Sequence, residues 1–195
     1  MSVTGDADRA RWAKPESYQA SWDSRAVLAA SLVPDGAQVF EVGVGRGKFR
    51  SLVRGRCSYF GADLEPLDAE TQRLDLDLEE LPSAGFDIVV ALGVLEYLSD
   101  PGGAIGRLCR AGRSVLISYC LPVEGMPASD AAAIRSKRGW RNCLDQSLLV
   151  ARFAHYGKCA SKEVLYNETS DFKQSIFLFS DAERRPLRRR LLKLL

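Results

Sequence analysis

Apolar and polar residues along the chain form blocks that predict strands and helices in alternation. Five apolar segments predict strands, over residues 37–42, 57–62, 72–76, 86–92 and 114–118. Helices are predicted over residues 24–32, over 48–54 and from 100 to about 110, where Asp100 suits the cap and Pro101 the first helical position. This alternation indicates βαβ units and a parallel sheet covered by helices on both faces.

The C-terminal third of the chain has a different pattern. Residues 121–141 contain two prolines and two glycines and are predicted to be irregular. Residues 145–156 have helical spacing and end before Gly157, which suits a helix C-cap. Residues 158–166 and 174–180 predict two strands without a helix between them, hence an antiparallel hairpin. The predicted fold class is therefore α/β, with a doubly wound, mostly parallel seven-stranded sheet closed by an antiparallel strand.

Length and composition favour a single globular domain. The chain has 195 residues, of which 46% are hydrophobic and 27% charged. No apolar run approaches the ~20 residues that cross a bilayer, and the first twenty residues are too charged for a secretory signal. We expect no transmembrane segment and a cytoplasmic location. The expected division is an N-terminal segment or lid over 1–23, the main domain over 24–182 and a basic tail over 183–195.

Charge and cysteine content restrict the expected partners. The net charge is +2, but residues 184–195 contain six basic and no acidic residues, so the rest of the chain is net acidic. We therefore expect no nucleic acid on the domain body, and a tail able to contact an anionic surface or partner. The five cysteines form no CxxC pair and one histidine accompanies them, so we expect reduced, buried thiols and no metal site.

A glycine-rich loop between a predicted strand and helix carries the strongest chemical signal. It reads Glu41-Val-Gly-Val-Gly-Arg-Gly47, and a second acid, Asp63, ends the next strand. Glycines allow a tight turn and close approach of a ligand, and a carboxylate at the place of Asp63 suits the two hydroxyls of a ribose. Asp75, at the end of the third predicted strand, is placed to reach an adenine amino group; Asp77 is the alternative.

The same loop discriminates between nucleoside cofactors. A dinucleotide fingerprint needs a third glycine where Lys48 stands. The carboxylate of Glu41 would repel a pyrophosphate, whereas it would attract the ammonium and sulfonium of S-adenosyl-L-methionine. The pattern therefore favours S-adenosylmethionine over NAD, and an NAD(P)-linked oxidoreductase stays open as an alternative.

Four blocks in order resemble the class I S-adenosylmethionine-dependent methyltransferases, especially the small Methyltransferase-11/MetW-like group. They are EVGVGRGKF, YFGADLEP, DLDLEELPSAGFDIVVALGVLEYLSDP and RLCRAGRSVLISY. The resemblance implies a Rossmann-like methyltransferase fold and a cofactor site of ten residues. The methionine end of the cofactor would contact Glu41, Gly43, Val44, Gly45, Ala91 and Leu92. Its ribose and adenine would contact Asp63, Leu64, Asp75 and Leu76.

The methyl acceptor is expected between the N-terminal segment and residues 121–142. This stretch contains Arg135, Lys137, Arg138, Trp140 and Arg141. An aromatic ring among cations suits a sugar face, a phosphate or a carboxylate, so we expect a small-molecule acceptor of that kind; a solvated basic loop is the alternative. No catalytic base is identified, because Glu96 is expected to brace the next helix and His155 to end one. The resemblance also leaves open a cofactor-binding but non-catalytic regulatory subunit.

Overall fold

A computed structural model describes residues 22–83 and 85–181, and its elements alternate as the sequence predicts. The helices are α1 (Trp22–Ser31), α2 (Lys48–Val53), α3 (Pro101–Ala111), α4 (Ala128–Lys137) and α5 (Gln146–His155), with a 3₁₀ turn at Leu95–Tyr97. The strands are β1 (Gln38–Val42), β2 (Ser58–Asp63), β3 (Gln72–Arg73), β4 (Phe86–Leu92), β5 (Gly112–Pro122), β6 (Lys158–Glu168) and β7 (Phe172–Asp181). None of these helices is long and apolar enough to cross a membrane.

The seven strands form one sheet in the order β3-β2-β1-β4-β5-β7-β6. Strand β1 is parallel to β2 and β4, and β4 is parallel to β5. Strand β7 is antiparallel to both β5 and β6, so the hairpin closes the sheet. The predicted fold class is confirmed. The carboxyl ends of the parallel strands meet at one edge, where ligands of open α/β sheets bind.

Each face of the sheet has its own apolar core. In β4, Val89 and Ala91 belong to the core under α3 and α5, whereas Val90 and Leu92 belong to the core under α1 and α2. Because both faces are covered, β4 is apolar at nearly every position, which is why the pattern identified it so clearly.

Three elements differ from the predictions. Strand β3 ends at Arg73 instead of residue 76, because it pairs with β2 only over Ala62 and Asp63. Strand β5 is longer than predicted, because β7 pairs along almost its whole length. The segment over 121–141, which is predicted to be irregular, contains the helix α4. Two residues of α4 are buried, Ala131 and Arg135. An arginine on the buried side hides the apolar periodicity that would have indicated this helix.

Candidate functional site

The glycine loop folds tightly against the segment that follows β4. Gly43, Gly45 and Gly47 have φ values of 82°, 53° and 71°, a region that residues with a side chain rarely adopt. A Cβ atom at Gly43 would overlap the side chain of Val94. The loop therefore needs glycine both for its backbone conformation and for close packing, and it leaves a cavity above the ends of β1, β2 and β4.

This cavity gathers most of the residues that the sequence predicted for a cofactor. Those that line it are Glu41, Gly43, Val44, Gly45, Asp63, Leu64, Asp75, Leu76 and Leu92. Ala91 does not line it, since its side chain is fully buried in the core on the opposite face of β4. Alternation along a strand explains the difference, because neighbouring residues of β4 face opposite sides of the sheet.

Asp63 connects the end of β2 to the glycine loop. Its Oδ2 accepts a hydrogen bond of 2.8 Å from the Gly45 amide, and its Oδ1 accepts one of 3.2 Å from the Glu65 amide. The residue is 7% exposed, and burial raises the pKa of its carboxyl against the opposing effect of these amides. Asp63 thus holds the loop in place and presents a carboxylate at its rim.

Glu41 lies deeper in the cavity and is 2% exposed. The Tyr59 hydroxyl donates a hydrogen bond of 2.5 Å to its Oε2. Burial raises the pKa of the Glu41 carboxyl to about 8, even though this hydrogen bond lowers it. The carboxyl is therefore mostly protonated at neutral pH, and a cation placed beside it would favour its ionised form.

The two acids after β3 have different surroundings. Asp77 accepts hydrogen bonds from the amides of Ser99 and Asp100 at 3.0 to 3.1 Å, so it fixes the segment before α3. Asp75 accepts from the Asp77 amide at 3.0 Å, and both acids line the cavity. Asp77 therefore has a structural role in addition to its place in the cavity, and the choice of Asp75 as the acid that contacts adenine stays a prediction.

Arg25 of α1 also lines the cavity and was not identified from the sequence. Its guanidinium lies 5.3 Å from the centre of the Trp22 ring and against Gly93, where a Cβ atom would overlap it. The Arg25 guanidinium is also close enough to Tyr166 of β6 to lower the pKa of its hydroxyl, against the larger effect of burial, which raises it. An arginine in a short helix is ordinarily exposed, so no local pattern indicates that this one would reach the end of β4.

The predicted acceptor stretch divides into a structural part and one cavity residue. Arg135 is 1% exposed; it donates to the Cys120 carbonyl at 2.7 Å and to the Tyr119 hydroxyl at 2.8 Å. Its guanidinium lies 4.7 Å from the Trp140 ring centre. Arg135 and Trp140 thus hold the fold together, and of the basic and aromatic residues named there only Arg141 lines the described cavity.

The remaining polar candidates lie outside the cavity. Glu96 is 2% exposed, and its Oε1 accepts a 3.0 Å hydrogen bond from the Cys120 amide, so it braces β5 rather than the next helix. His155 is exposed at the end of α5, as predicted. All five cysteines are free thiols. Only Cys109 and Cys120 are buried as expected, whereas Cys57 is half-buried and Cys143 and Cys159 are exposed. The described residues contain no group of His, Cys, Asp or Glu able to hold a metal ion.

Solved structures with this fold include several methyltransferases. Magnesium protoporphyrin IX methyltransferase from Synechocystis PCC 6803, with bound S-adenosylhomocysteine, has a TM-score of 0.60 at 16% identity, over 83% of this chain and 82% of that one. An S-adenosylmethionine-dependent methyltransferase from Mesorhizobium loti has a TM-score of 0.63 at 14% identity, over 80% and 97%. The [4+2]-cyclase SpnF has 0.65 at 14%, over 82% and 80%. No protein-family model matches the sequence, and no curated protein is similar enough to count as a relative.

Proposed function

We propose that this chain binds S-adenosyl-L-methionine in the cavity at the ends of β1, β2 and β4. The observation that carries the proposal is the placement of two buried acids, Glu41 and Asp63, on either side of a loop of positive-φ glycines. The Asp63 carboxylate suits the two ribose hydroxyls, because one carboxylate accepts several hydrogen bonds. Leu64 and Leu76 provide apolar contact for the adenine ring.

Two further residues complement the methionine end of the cofactor. The Glu41 carboxyl lies where an ammonium or sulfonium would favour its ionised form. The Arg25 guanidinium lies in the same cavity and offers charge-assisted hydrogen bonds to a carboxylate. A carboxyl group and a guanidinium in one cavity match the ammonium and the carboxylate of an amino acid. The pyrophosphate of NAD has no cationic group to face the Glu41 carboxyl.

We further propose that the chain transfers the methyl group to a small-molecule acceptor. The bound cofactor supplies an activated methyl group, so the protein has to orient the acceptor and exclude water. The cavity continues past Gly93 to Tyr97 and Arg141, which gives an acceptor an aromatic and a cationic neighbour. An anionic or sugar-containing acceptor fits these side chains. The short segment between β2 and β3 agrees with a MetW-like member of the fold.

Calorimetric titration tests the cofactor assignment. We expect micromolar binding of S-adenosylmethionine and S-adenosylhomocysteine, no binding of NAD, and loss of binding in Asp63→Ala. Asp87→Ala is the matched control, because Asp87 is a partly exposed acid at the start of β4, away from the cavity. Preference for NAD would refute this assignment and favour the oxidoreductase alternative.

Methyl transfer needs its own test, because a fold does not determine the reaction. The purified chain is incubated with methyl-tritiated S-adenosylmethionine and a pool of small molecules, and labelled products are separated. We expect labelled small molecules that Asp63→Ala no longer forms. Cofactor binding without transfer to any pool would favour the regulatory subunit.

A further inference from the structure

Strand β2 has an open side at the edge of the sheet. Strand β3 pairs with it only at Ala62 and Asp63, the last two residues of β2. Along residues 58–61, which we call the β2 edge, no further strand lies on that side in the part of the chain that the structure describes. Sheet edges in folded proteins are ordinarily short, charged or covered, because an open edge can pair with another chain. The β2 edge is therefore a candidate interaction surface.

The backbone of the β2 edge has hydrogen-bonding groups directed outward. The Ser58 amide donates to the Ala37 carbonyl at 3.0 Å, on the β1 side. The Ala62 carbonyl accepts from the Gly43 amide at 2.8 Å, on the same side. Successive residues of a strand between parallel neighbours bond to opposite sides, so Tyr59 directs its N–H and its C=O away from β1. A donor and an acceptor placed in this way suit the backbone of an added strand.

Aromatic rings line one face of the β2 edge. The groove along the open side contains Phe40, Phe60 and Phe86 together with Pro82. The Phe86 ring centre lies 4.9 Å from that of Phe40 and 5.8 Å from that of Phe60. Phe40 and Phe86 are buried, whereas Phe60, at the outer end of this row, is 56% exposed. The groove thus offers an apolar contact beside the outward-directed backbone groups.

The charges beside the groove balance one another. Arg54 forms a 2.8 Å ion pair with Glu70, and both side chains are more than half exposed. Arg50 pairs with Asp68 at 2.6 Å. A rim with one acid for each base attracts neither a strongly acidic nor a strongly basic partner. It suits a partner whose charges are balanced in the same way, and a second copy of this chain meets that condition.

We propose that the β2 edge pairs with the β2 edge of a second copy, so that the chain forms a twofold dimer with one continuous sheet. A twofold axis makes the two strands antiparallel and places Tyr59 opposite the partner's Tyr59, where the two residues exchange two hydrogen bonds. The Tyr59 side chain leaves this approach clear, because its hydroxyl bonds Glu41 on β1. Neither the cofactor nor the methyl acceptor takes part in this assembly.

The side chains of the β2 edge fit this register. With Tyr59 on the axis, Phe60 lies opposite the partner's Ser58, and Gly61 lies opposite the partner's Cys57. A large side chain therefore faces a small one on each side of the axis. The two Phe60 rings lie diagonally across the axis, at a separation that aromatic side chains can bridge. Each copy also brings its own Arg54–Glu70 pair, so the joint rim stays neutral.

The interface is small, so the dimer should be weak. Twelve residues of each copy line the groove. Interfaces of standard size involve about 20–30 residues a side. We therefore expect a dissociation constant of roughly 10–100 µM, at the weak end of specific association. The chain should be a monomer at low micromolar concentration and mostly a dimer at several hundred micromolar.

Sedimentation velocity of the full chain from about 2 to about 500 µM tests the assembly. Phe60→Arg should raise the dissociation constant at least tenfold, because it places two cations near the axis. Leu165→Arg is the matched control, since Leu165 is 50% exposed on β6, the edge strand at the other end of the sheet. Its dissociation constant should stay within about twofold of the wild-type value. Both variants should keep the wild-type melting temperature, because each replaced side chain is at least half exposed.

Amide hydrogen exchange measures the strand pairing itself. The Tyr59 amide should exchange about three- to tenfold more slowly at 500 µM than at 5 µM, in proportion to the dimer fraction. The Ser58 amide already bonds the Ala37 carbonyl within one chain and should change less. Phe60→Arg should remove the concentration dependence at Tyr59.

Three results would overturn the proposal. The first is a monomer at every concentration. The second is a dimer that Phe60→Arg leaves intact or that Leu165→Arg dissociates, because the contact would then lie elsewhere. The third is a Tyr59 amide that is protected equally at both concentrations, because a segment of the same chain would then cover the β2 edge.

Discussion

Protonation of Glu41 in the cofactor-free protein couples cofactor affinity to pH. The pKa of this carboxyl is raised to about 8 by burial, so roughly nine in ten molecules carry the proton at pH 7. If the bound cofactor requires the ionised form, its apparent affinity scales with the ionised fraction. That fraction falls from about one half at pH 8 to about one hundredth at pH 6, which weakens binding roughly 50-fold.

Calorimetric titration with S-adenosylhomocysteine at pH 6, 7 and 8 measures this coupling. Repeating the pH 7 titration in two buffers of different ionisation enthalpy counts the protons released, and we expect about 0.9 per cofactor bound. Glu41→Gln should remove both the pH dependence and the proton release. Tyr59→Phe should move the dependence to higher pH, because the Tyr59 hydrogen bond lowers the Glu41 pKa. Equal affinity at pH 6 and pH 8 in the wild-type chain would refute the reasoning.

Four further predictions concern ligand binding and stability. Arg25→Gln should weaken S-adenosylhomocysteine binding by about 1.5–3 kcal/mol while leaving methylthioadenosine, which lacks the carboxylate, unaffected in calorimetry; equal losses for both ligands would contradict the assignment. Gly43→Ala should abolish cofactor binding and lower the melting temperature more than Gly36→Ala, because Gly36 has a similar φ but open space around it. Equal effects of the two substitutions would argue against close packing as the reason. Arg135→Leu should reduce the free energy of unfolding by about 3 kcal/mol in urea titrations, because buried partners lose their donor, and an unchanged midpoint would show that the cation is dispensable. The folded-state pKa of Glu41 exceeds its ordinary value, so this group's contribution to the free energy of unfolding should fall as pH rises from about 5 to about 8. The measurement is the difference in the free energy of unfolding between the wild-type chain and Glu41→Gln. A difference that does not fall over this pH range would contradict the prediction.

The sequence predicted correctly those features that are determined by a few neighbouring residues. The apolar run of β4 follows from coverage on both faces, and the glycines of the loop follow from their positive φ values. The position of Asp63 at the end of β2 follows from the regular spacing of a βαβ unit. Each of these signals spans a few neighbouring residues, which is why the cavity was largely anticipated.

The sequence did not predict the environment of residues that contact distant segments of the chain. Arg135 looks like a surface cation, but Tyr119 and Trp140 enclose it, and that burial hides the pattern of α4. Arg25 lies on α1, and its electrostatic interaction with Glu96 exists only because the sheet brings β4 and β5 beneath that helix. A local sequence pattern contains no information on such contacts, since Arg135 and Tyr119 are 16 residues apart in the chain and Arg25 and Glu96 are 71 residues apart.

A crystal structure of the chain with S-adenosylhomocysteine tests the central claim most directly. We expect the ribose hydroxyls within hydrogen-bond distance of Asp63, the adenine between Leu64 and Leu76, and the amino-acid end between Glu41 and Arg25. Electron density for the nucleoside elsewhere on the chain, or a cavity that stays empty at saturating ligand, would contradict the account.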